Sequence, residues 1–298
     1  MSNPPYGADP GGFPPPPDHP PGWSPRSTDP LIPTDLHGWF GRSIRVFRRS
    51  FWRLSLIALI VGLLGAVSAG AAMAFGLTDL LNTSDGAVDP VAVIVFIAVV
   101  SLIVIVGFAC WQAASLHLAV MDAAGRPTTI GGSLRFGVRR TLPLIGWSLL
   151  TGIAVAIGFL LLIGPGIYLA VVLNASLACA VVIERDGPGR CFELIRHRFW
   201  ATFGRLVLGW VIIHAYQMLV PILLSSPFQV SWALTPPDPS SGAGMIVGSL
   251  LVAGWGIVLC SPVVVASLAI TLVTYAELRG HENPDITTDA IADELTRP

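Results

Sequence analysis

Four stretches of this chain lack Asp, Glu, Lys and Arg, and each is long enough to cross a lipid bilayer as a helix. They are residues 54–75, 91–112, 142–163 and 245–272. The hydrocarbon core of a bilayer is about 30 Å thick and needs about 20 apolar residues in helical form. A single soluble domain cannot bury so many helices that are apolar on every face. These stretches therefore predict an all-α membrane protein.

The overall composition agrees with a polytopic membrane protein. Only 12% of the residues are charged and 53% are hydrophobic, whereas soluble domains average about 25% charged residues. Reading the apolar runs together predicts a membrane domain over residues 34–280 with six transmembrane helices. We expect these spans near residues 54–75, 91–120, 143–163, 167–184, 205–224 and 245–278.

The distribution of basic residues predicts the orientation. All 17 basic residues are arginines, and the connections at 76–90, 164–166 and 225–244 contain none of them. With six spans, every arginine therefore falls on one side of the membrane. Positive charge is enriched in cytoplasmic segments. The pattern predicts that this side, with both chain termini, is cytoplasmic.

Three basic amphipathic segments precede the first, third and fifth spans, at about residues 34–53, 128–141 and 188–200. Such a segment favours a helix lying in the interface plane, with its apolar face toward lipid. We therefore expect three similar units, each an interfacial helix followed by a membrane hairpin, related by an axis along the membrane normal. The candidate contacts to lipid head groups are Arg42, Arg45, Arg49, Arg135, Arg139, Arg196 and Arg198.

The two ends of the chain are predicted to be cytoplasmic tails. Residues 1–33 contain twelve prolines, a composition typical of extended, disordered segments. A flexible tail is the simpler interpretation, and docking to a proline-reading protein partner is the alternative. Residues 281–298 form the C-terminal tail.

Four polar side chains fall inside predicted spans: His117, Asn174, His214 and Gln217. Polar groups at membrane depth are candidate functional sites. Hydrogen bonding between helices is the alternative interpretation. Glu184 and Arg205 lie close enough to span ends to extend toward the interface.

No motif for catalysis or cofactor binding is present. The chain has no phosphate-cradling glycine loop with its lysine, no zinc-hydrolase histidine spacing and no nucleophile elbow. We expect no catalytic, cofactor or metal site. The net charge of −1 gives no indication of a nucleic-acid partner. The four cysteines are expected to be reduced and buried.

Two late segments carry a family resemblance. Residues 190–204, RCFELIRHRFWATFG, resemble the basic segment that leads into a late helix of the glycerophosphoryl diester phosphodiesterase membrane domain. Residues 275–279, YAELR, are similar to that family's closing Tyr-x-Asp-Leu-Arg pattern, with Glu277 in the acidic position. The family's Ser-Trp pair is absent here, where 192–194 stand instead. The Pro/Gly-rich tail resembles proline- and glycine-rich transmembrane proteins of actinobacteria.

The resemblance implies a bacterial plasma-membrane protein. The family takes its name from a separate phosphodiesterase domain, so we do not expect that activity here. Our first hypothesis is a non-enzymatic protein that organises membrane lipids, anionic ones among them, or partner proteins at the cytoplasmic leaflet. The alternatives are a small-solute or lipid carrier built from three hairpins, and a membrane-embedded lipid enzyme. Oligomeric state is left open.

Overall fold

The computed structural model describes residues 29–81, 90–196, 198–234 and 242–297. Within these ranges all regular secondary structure is helical. A π-helical turn, Ala180–Glu184, continues the fourth helix without a break. The helices are α1 Leu36–Leu81, α2 Pro90–Ala123, α3 Ile130–Leu161, α4 Ile163–Cys179, α5 Pro188–Ile195, α6 Phe199–Leu234, α7 Gly242–Glu282 and α8 Thr288–Thr296.

Five helical segments in the described part are long and apolar enough to cross a membrane. They are Val93–Ala123, Ile130–Leu161, Ile163–Glu184, Phe199–Leu219 and Val258–Glu282. The all-helical class is therefore confirmed for these residues, and the five apolar helices support a membrane protein.

Two predictions lie partly or wholly outside the described residues. The span at 54–75 falls within α1, but the side chains of residues 66 and 68–81 are outside the described part of the chain. Residues 1–28 of the predicted tail are outside it as well. The sixth span and the disordered tail therefore stay predictions.

The helices pack mainly against their neighbours in sequence. α1 contacts α2, α2 contacts α3, and α3 contacts α4. α7 closes this arrangement by packing along α1 and against α4, while α6 packs chiefly on α7.

The core lies at the end of the bundle where α8 packs. The second half of α2 is buried nearly all round, with Ala113, Leu116 and Val120 at most 1% exposed. The first half of the same helix instead exposes Ile94 and Leu102, at 65% and 59%. Apolar side chains exposed in such numbers mark a surface in contact with lipid. The helix α2 thus runs from a lipid-facing half into a protein core.

Small residues allow α2 and α3 to approach closely within that core. A Cβ atom at Gly137 would lie 2.7 Å from the Cys110 carbonyl oxygen and 2.8 Å from Ala114 Cβ. Both distances are under 3.0 Å, which is closer than Cβ atoms approach other heavy atoms in proteins. Close approach at small residues is how helices associate without a hydrophobic driving force between them.

The basic segments of the first two predicted units are not separate interfacial helices. Residues 36–53 are the first turns of the unbroken helix α1, and residues 130–141 are the first turns of α3. No helix-breaking residue separates the basic and apolar parts of α1. In α3, Pro143 lies inside the helix without ending it. Only the third segment forms a distinct helix, α5, which ends at Ile195, and α6 begins at Phe199.

The segment before α1 packs against the C-terminal part of the chain. Asp29 Oδ2 accepts the Thr288 amide at 2.9 Å, and its Oδ1 accepts the Thr288 hydroxyl at 2.6 Å. Leu31 and Ile32 are buried at 0% and 2% exposure. The indole of Trp39 donates to the Thr274 hydroxyl at 3.0 Å. These contacts join the start of the described chain to α7 and α8.

Sequence reasoning did not anticipate that the C-terminal tail contains the helix α8. The Thr287 hydroxyl caps it by accepting the Ala290 amide at 3.3 Å, as N-terminal hydroxyls do. Its apolar face is buried, with Ile291 and Ala292 at 0% and Leu295 at 1% exposure. The short amphipathic helix therefore covers the end of the bundle.

Candidate functional site

The backbone is irregular where α4 ends. The π-helical turn Ala180–Glu184 widens the helix, and Arg185 follows in the left-handed region with φ of 62°. Single π turns occur frequently at functional sites. A non-glycine residue at positive φ costs free energy and persists only where its surroundings hold it. The two features meet at Glu184 and Arg185, which makes this point of the chain a candidate site.

Glu184 is the centre of a charge network. Its Oε2 accepts Arg190 Nε at 2.7 Å, and its Oε1 lies 2.8 Å from Arg279 Nη1. The Tyr275 hydroxyl also donates to Oε1. The Glu184 side chain is 11% exposed. Two guanidinium groups and a phenol therefore replace most of the water around the carboxylate.

Each arginine of the network has a second carboxylate partner. Arg190 pairs with Glu282 and, at 3.2 Å, with Glu193. The hydrogen bonds that Arg190 donates to Glu282 and to Glu184 raise its pKa. Arg279 Nη2 donates to Glu294 of α8 at 2.9 Å. The network therefore links the end of α4 with α5, α7 and α8.

An open cavity of about 400 Å³ lies beside this network. It contains the guanidinium-bearing residues Arg185, Arg279 and Arg297 together with three carboxylates, Glu184, Asp186 and Glu294. The Arg185 guanidinium donates to the Arg297 carbonyl oxygen. The cavity is called the α8 cavity below. Its guanidinium groups can bind anions, because they are strong donors to carboxylate and phosphate oxygens.

A second buried ion pair lies between α6 and α7. Arg205 Nη2 is 2.6 Å from Glu277 Oε1, and His281 Nε2 is 3.6 Å from the same oxygen. Neither contact has the geometry of a hydrogen bond. Glu277 is only 2% exposed. Both Glu277 oxygens and Arg205 Nε have no hydrogen-bond partner among the described residues. Glu184 is thus engaged by guanidinium groups of the protein and Arg205 by a carboxylate.

Two of the seven predicted head-group arginines are engaged by the protein. Arg42 is 8% exposed and donates from Nε to the Asp29 carbonyl oxygen at 3.0 Å. Burial has the largest influence on the pKa of Arg42 and lowers it. Arg49 Nε pairs with Asp122 at 3.0 Å. These two side chains hold α1 in place.

The other five predicted arginines are exposed and have no ion pair or side-chain hydrogen bond within the described ranges. The same is true of Arg48, which was not among the seven predicted head-group contacts. Two exposed tryptophans stand close by in sequence: Trp52 is 81% and Trp200 is 78% exposed. Tryptophans of this kind are enriched at membrane interfaces. The five predicted arginines are Arg45, Arg135, Arg139, Arg196 and Arg198.

The structure does not bring the four predicted intramembrane polar residues together. His117 Nδ1 lies 3.1 Å from the Ser133 hydroxyl, which joins α2 to α3. His214 Nδ1 lies 3.0 Å from the Trp210 carbonyl oxygen of its own helix. Gln217 is exposed. Asn174 lines a separate groove of about 310 Å³ between α4, α6 and α7.

Sequence reasoning missed the charge network as a site. In the sequence, Arg190, Tyr275 and Arg279 stand out only as parts of the two family-like segments. The available signal was spacing, since residues 275 and 279 are one helical turn apart and share a face. The contact with Glu184 depends on tertiary packing, which spacing alone does not provide. No group of three or more His, Cys, Asp or Glu residues that could hold a metal ion occurs within the ranges described.

The fold and this network define a helical membrane protein with a charged, α8-covered end. Comparisons with protein-family models, curated proteins and solved structures find no match to this chain.

Proposed function

We propose that this chain is a multi-pass protein of the bacterial plasma membrane, with its α8-covered end on the cytoplasmic side. It engages anionic lipid head groups there and organises lipids rather than catalysing a reaction. Membership of the glycerophosphoryl diester phosphodiesterase membrane-domain family is part of this proposal. Both segments that carry the resemblance contribute to the network at Glu184, through Arg190 and through Tyr275 with Arg279.

One observation carries the lipid proposal: six exposed arginines lack ion-pair partners in the described part of the chain. They are Arg45, Arg48, Arg135, Arg139, Arg196 and Arg198. An exposed basic residue near an anionic surface contributes about 1 kcal/mol of attraction. A cytoplasmic leaflet provides such a surface, so six residues together supply substantial binding.

The test is the retention of anionic lipid by purified protein. The full chain and a variant with all six arginines changed to Gln are purified in detergent, and bound phosphatidylglycerol is counted by native mass spectrometry. We expect the variant to lose most bound phosphatidylglycerol and keep its melting temperature. A matched control changes the engaged residue Arg49 to Gln. Equal lipid retention by the six-residue variant and the parent would contradict the proposal.

A carrier of lipid-like molecules is a second candidate, favoured by the groove that contains Asn174. Its walls include Phe159, Trp210 and Ile213 and are largely apolar. Asn174 is exposed there and its amide has no partner among the described residues, so it could bind a polar group on an apolar ligand. Asn174→Leu should abolish transport of a lipid analogue between vesicle leaflets if this candidate is correct.

A further inference from the structure

We infer that the α8 cavity is a phosphate-binding site in which the Glu294 carboxylate occupies the position of the ligand. The inference rests on the proposed function, because it names a specific site for the anionic groups that this membrane face would meet. The ligand chemistry is a phosphate group, carried either by a lipid head group or by a soluble molecule.

The first observation is the charge balance of the cavity. Three arginines and three carboxylates line it. Glu184 is already bound by Arg190, Arg279 and Tyr275. Removal of Glu294 would leave the cavity with one more positive than negative charge and would vacate Arg279 Nη2, which now donates to both Glu294 oxygens at 2.9 and 3.2 Å. Phosphate oxygens accept from guanidinium groups in the same way as carboxylate oxygens.

The second observation is a buried donor that has no acceptor. Arg279 is 8% exposed, and its Nε has no hydrogen-bond partner among the described residues. A carboxylate engages the Nη2 edge of this guanidinium but leaves Nε unsatisfied. Inorganic phosphate has four unesterified oxygens and a lipid phosphodiester has two, so either can accept from more than one donor at once.

The third observation is the position of Arg185. Its left-handed backbone follows the π-helical turn and its guanidinium lies at the cavity. A conformation of this kind at a functional site is held in place by the surrounding structure. Arg185, which follows the end of α4, and Arg279, from α7, line the same cavity as Glu294.

The fourth observation is that the ion pairs of α8 other than that of Glu294 are weak. Arg126 pairs with Asp293 at 2.7 Å and with Asp289 at 3.8 Å, but the two aspartates are 58% and 71% exposed. Exposed pairs contribute little and are screened by salt. An isolated helix of nine residues is not stable in water. Displacement of Glu294 by phosphate should therefore loosen the C-terminal turn of α8, whereas the contact of Thr288 with Asp29 keeps the start of the helix in place.

The test measures phosphate affinity and α8 protection in the full chain. The parent chain, Glu294→Gln and the double variant Glu294→Gln with Arg185→Asn are reconstituted in phosphatidylcholine nanodiscs. Asn is chosen because it adopts the left-handed conformation readily. Inorganic phosphate is titrated against chloride at matched ionic strength, and hydrogen exchange of residues 288–296 is followed. A second arm replaces the phosphate by phosphatidylglycerol in the nanodisc.

We expect phosphate or phosphatidylglycerol to accelerate exchange in α8 of the parent chain. Glu294→Gln should tighten binding at least about fivefold, within the usual range for coupled sites, and Arg185→Asn should reverse that gain. An effect of phosphatidylglycerol alone identifies the lipid head group as the source, and an effect of inorganic phosphate identifies a soluble ligand. Unchanged exchange in both arms, or a Glu294→Gln affinity equal to that of the parent, would overturn the inference.

Failure of this inference and failure of the proposed function are distinguishable. If only the inference is wrong, the six-arginine variant still loses phosphatidylglycerol while the Glu294→Gln variant binds as the parent does. If only the broader lipid proposal is wrong, the six-arginine variant keeps its lipid while the α8 cavity still responds to inorganic phosphate.

Discussion

At the scale of single residues, the structure is organised around carboxylates that are largely buried. Glu184 is nearly buried and is stabilised by two arginines and one phenol. Burial of a charge costs several kcal/mol unless hydrogen bonds and opposite charges offset it. Loss of one partner therefore destabilises the folded chain, because the carboxylate stays buried.

Removal of the Tyr275 hydroxyl should lower stability. Tyr275 is fully buried and donates to Glu184, and hydrogen bonds to charged groups contribute about 1.5–3 kcal/mol. We expect Tyr275→Phe to lower the melting temperature of the detergent-purified protein. Tyr168→Phe is the matched control, because Tyr168 is 40% exposed. A melting temperature for Tyr275→Phe as high as that of the control would speak against the hydrogen bond.

Cys191 should react very slowly with maleimides. Its thiol is fully buried, and burial raises its pKa, so near pH 8 a smaller fraction is thiolate than for a free thiol. A cysteine introduced at the exposed position Glu193, in the same helix, should react quickly. The rates are compared by mass spectrometry of the native and the unfolded protein. Similar native rates at the two positions would contradict the burial of α5 against the bundle.

The site residues show how far sequence reasoning reaches at this scale. Hydropathy places Glu184 at the end of an apolar run, and that position is correct. The same reasoning expects its side chain to extend toward the interface. The sequence cannot indicate that Arg190 and Arg279, separated by 89 positions, converge on it, since that contact depends on how α5 and α7 pack.

At the scale of elements, apolar length predicts the helices and side-chain volume determines how closely they pack. The basic segments of α1 and α3 were expected as separate helices because their charge pattern is amphipathic. Amphipathic character does not itself end a helix, and α1 continues because no proline or glycine pair follows its basic part. Only after α5 does the chain leave the helix before the membrane helix begins, as predicted for all three basic segments.

The close contact of α2 with α3 provides a direct test of packing. Gly137→Ala places a methyl group 2.7 Å from a backbone oxygen of α2, and overpacking of this kind costs about 1–3 kcal/mol. We expect a lower melting temperature in detergent. Gly146→Ala, in the same helix, has no atom within 4 Å of the new methyl group and should be neutral or stabilising. If both variants melt alike, the two helices are farther apart than described.

At the scale of the whole molecule, two regions have opposite surroundings. The first half of α2 exposes large apolar side chains, which suit lipid. The end covered by α8 contains the ion pairs of Glu184 and Arg126 and the exposed arginines. Composition alone indicates that such an apolar chain needs a membrane. It does not indicate that the segment from Asp29 and the helix α8 pack together over one end, because that depends on the contact of Asp29 with Thr288.

The proposal depends on one orientation, in which all arginines face the cytoplasm. Labelling of single cysteines in intact cells with a membrane-impermeant maleimide tests it most directly, starting from a chain whose four native cysteines are replaced by Ala. We predict that a cysteine at Glu193 is labelled only after the cells are permeabilised, while a cysteine at Asp85 is labelled in intact cells. Labelling of the Glu193 position from outside intact cells would contradict the orientation and the lipid function that depends on it.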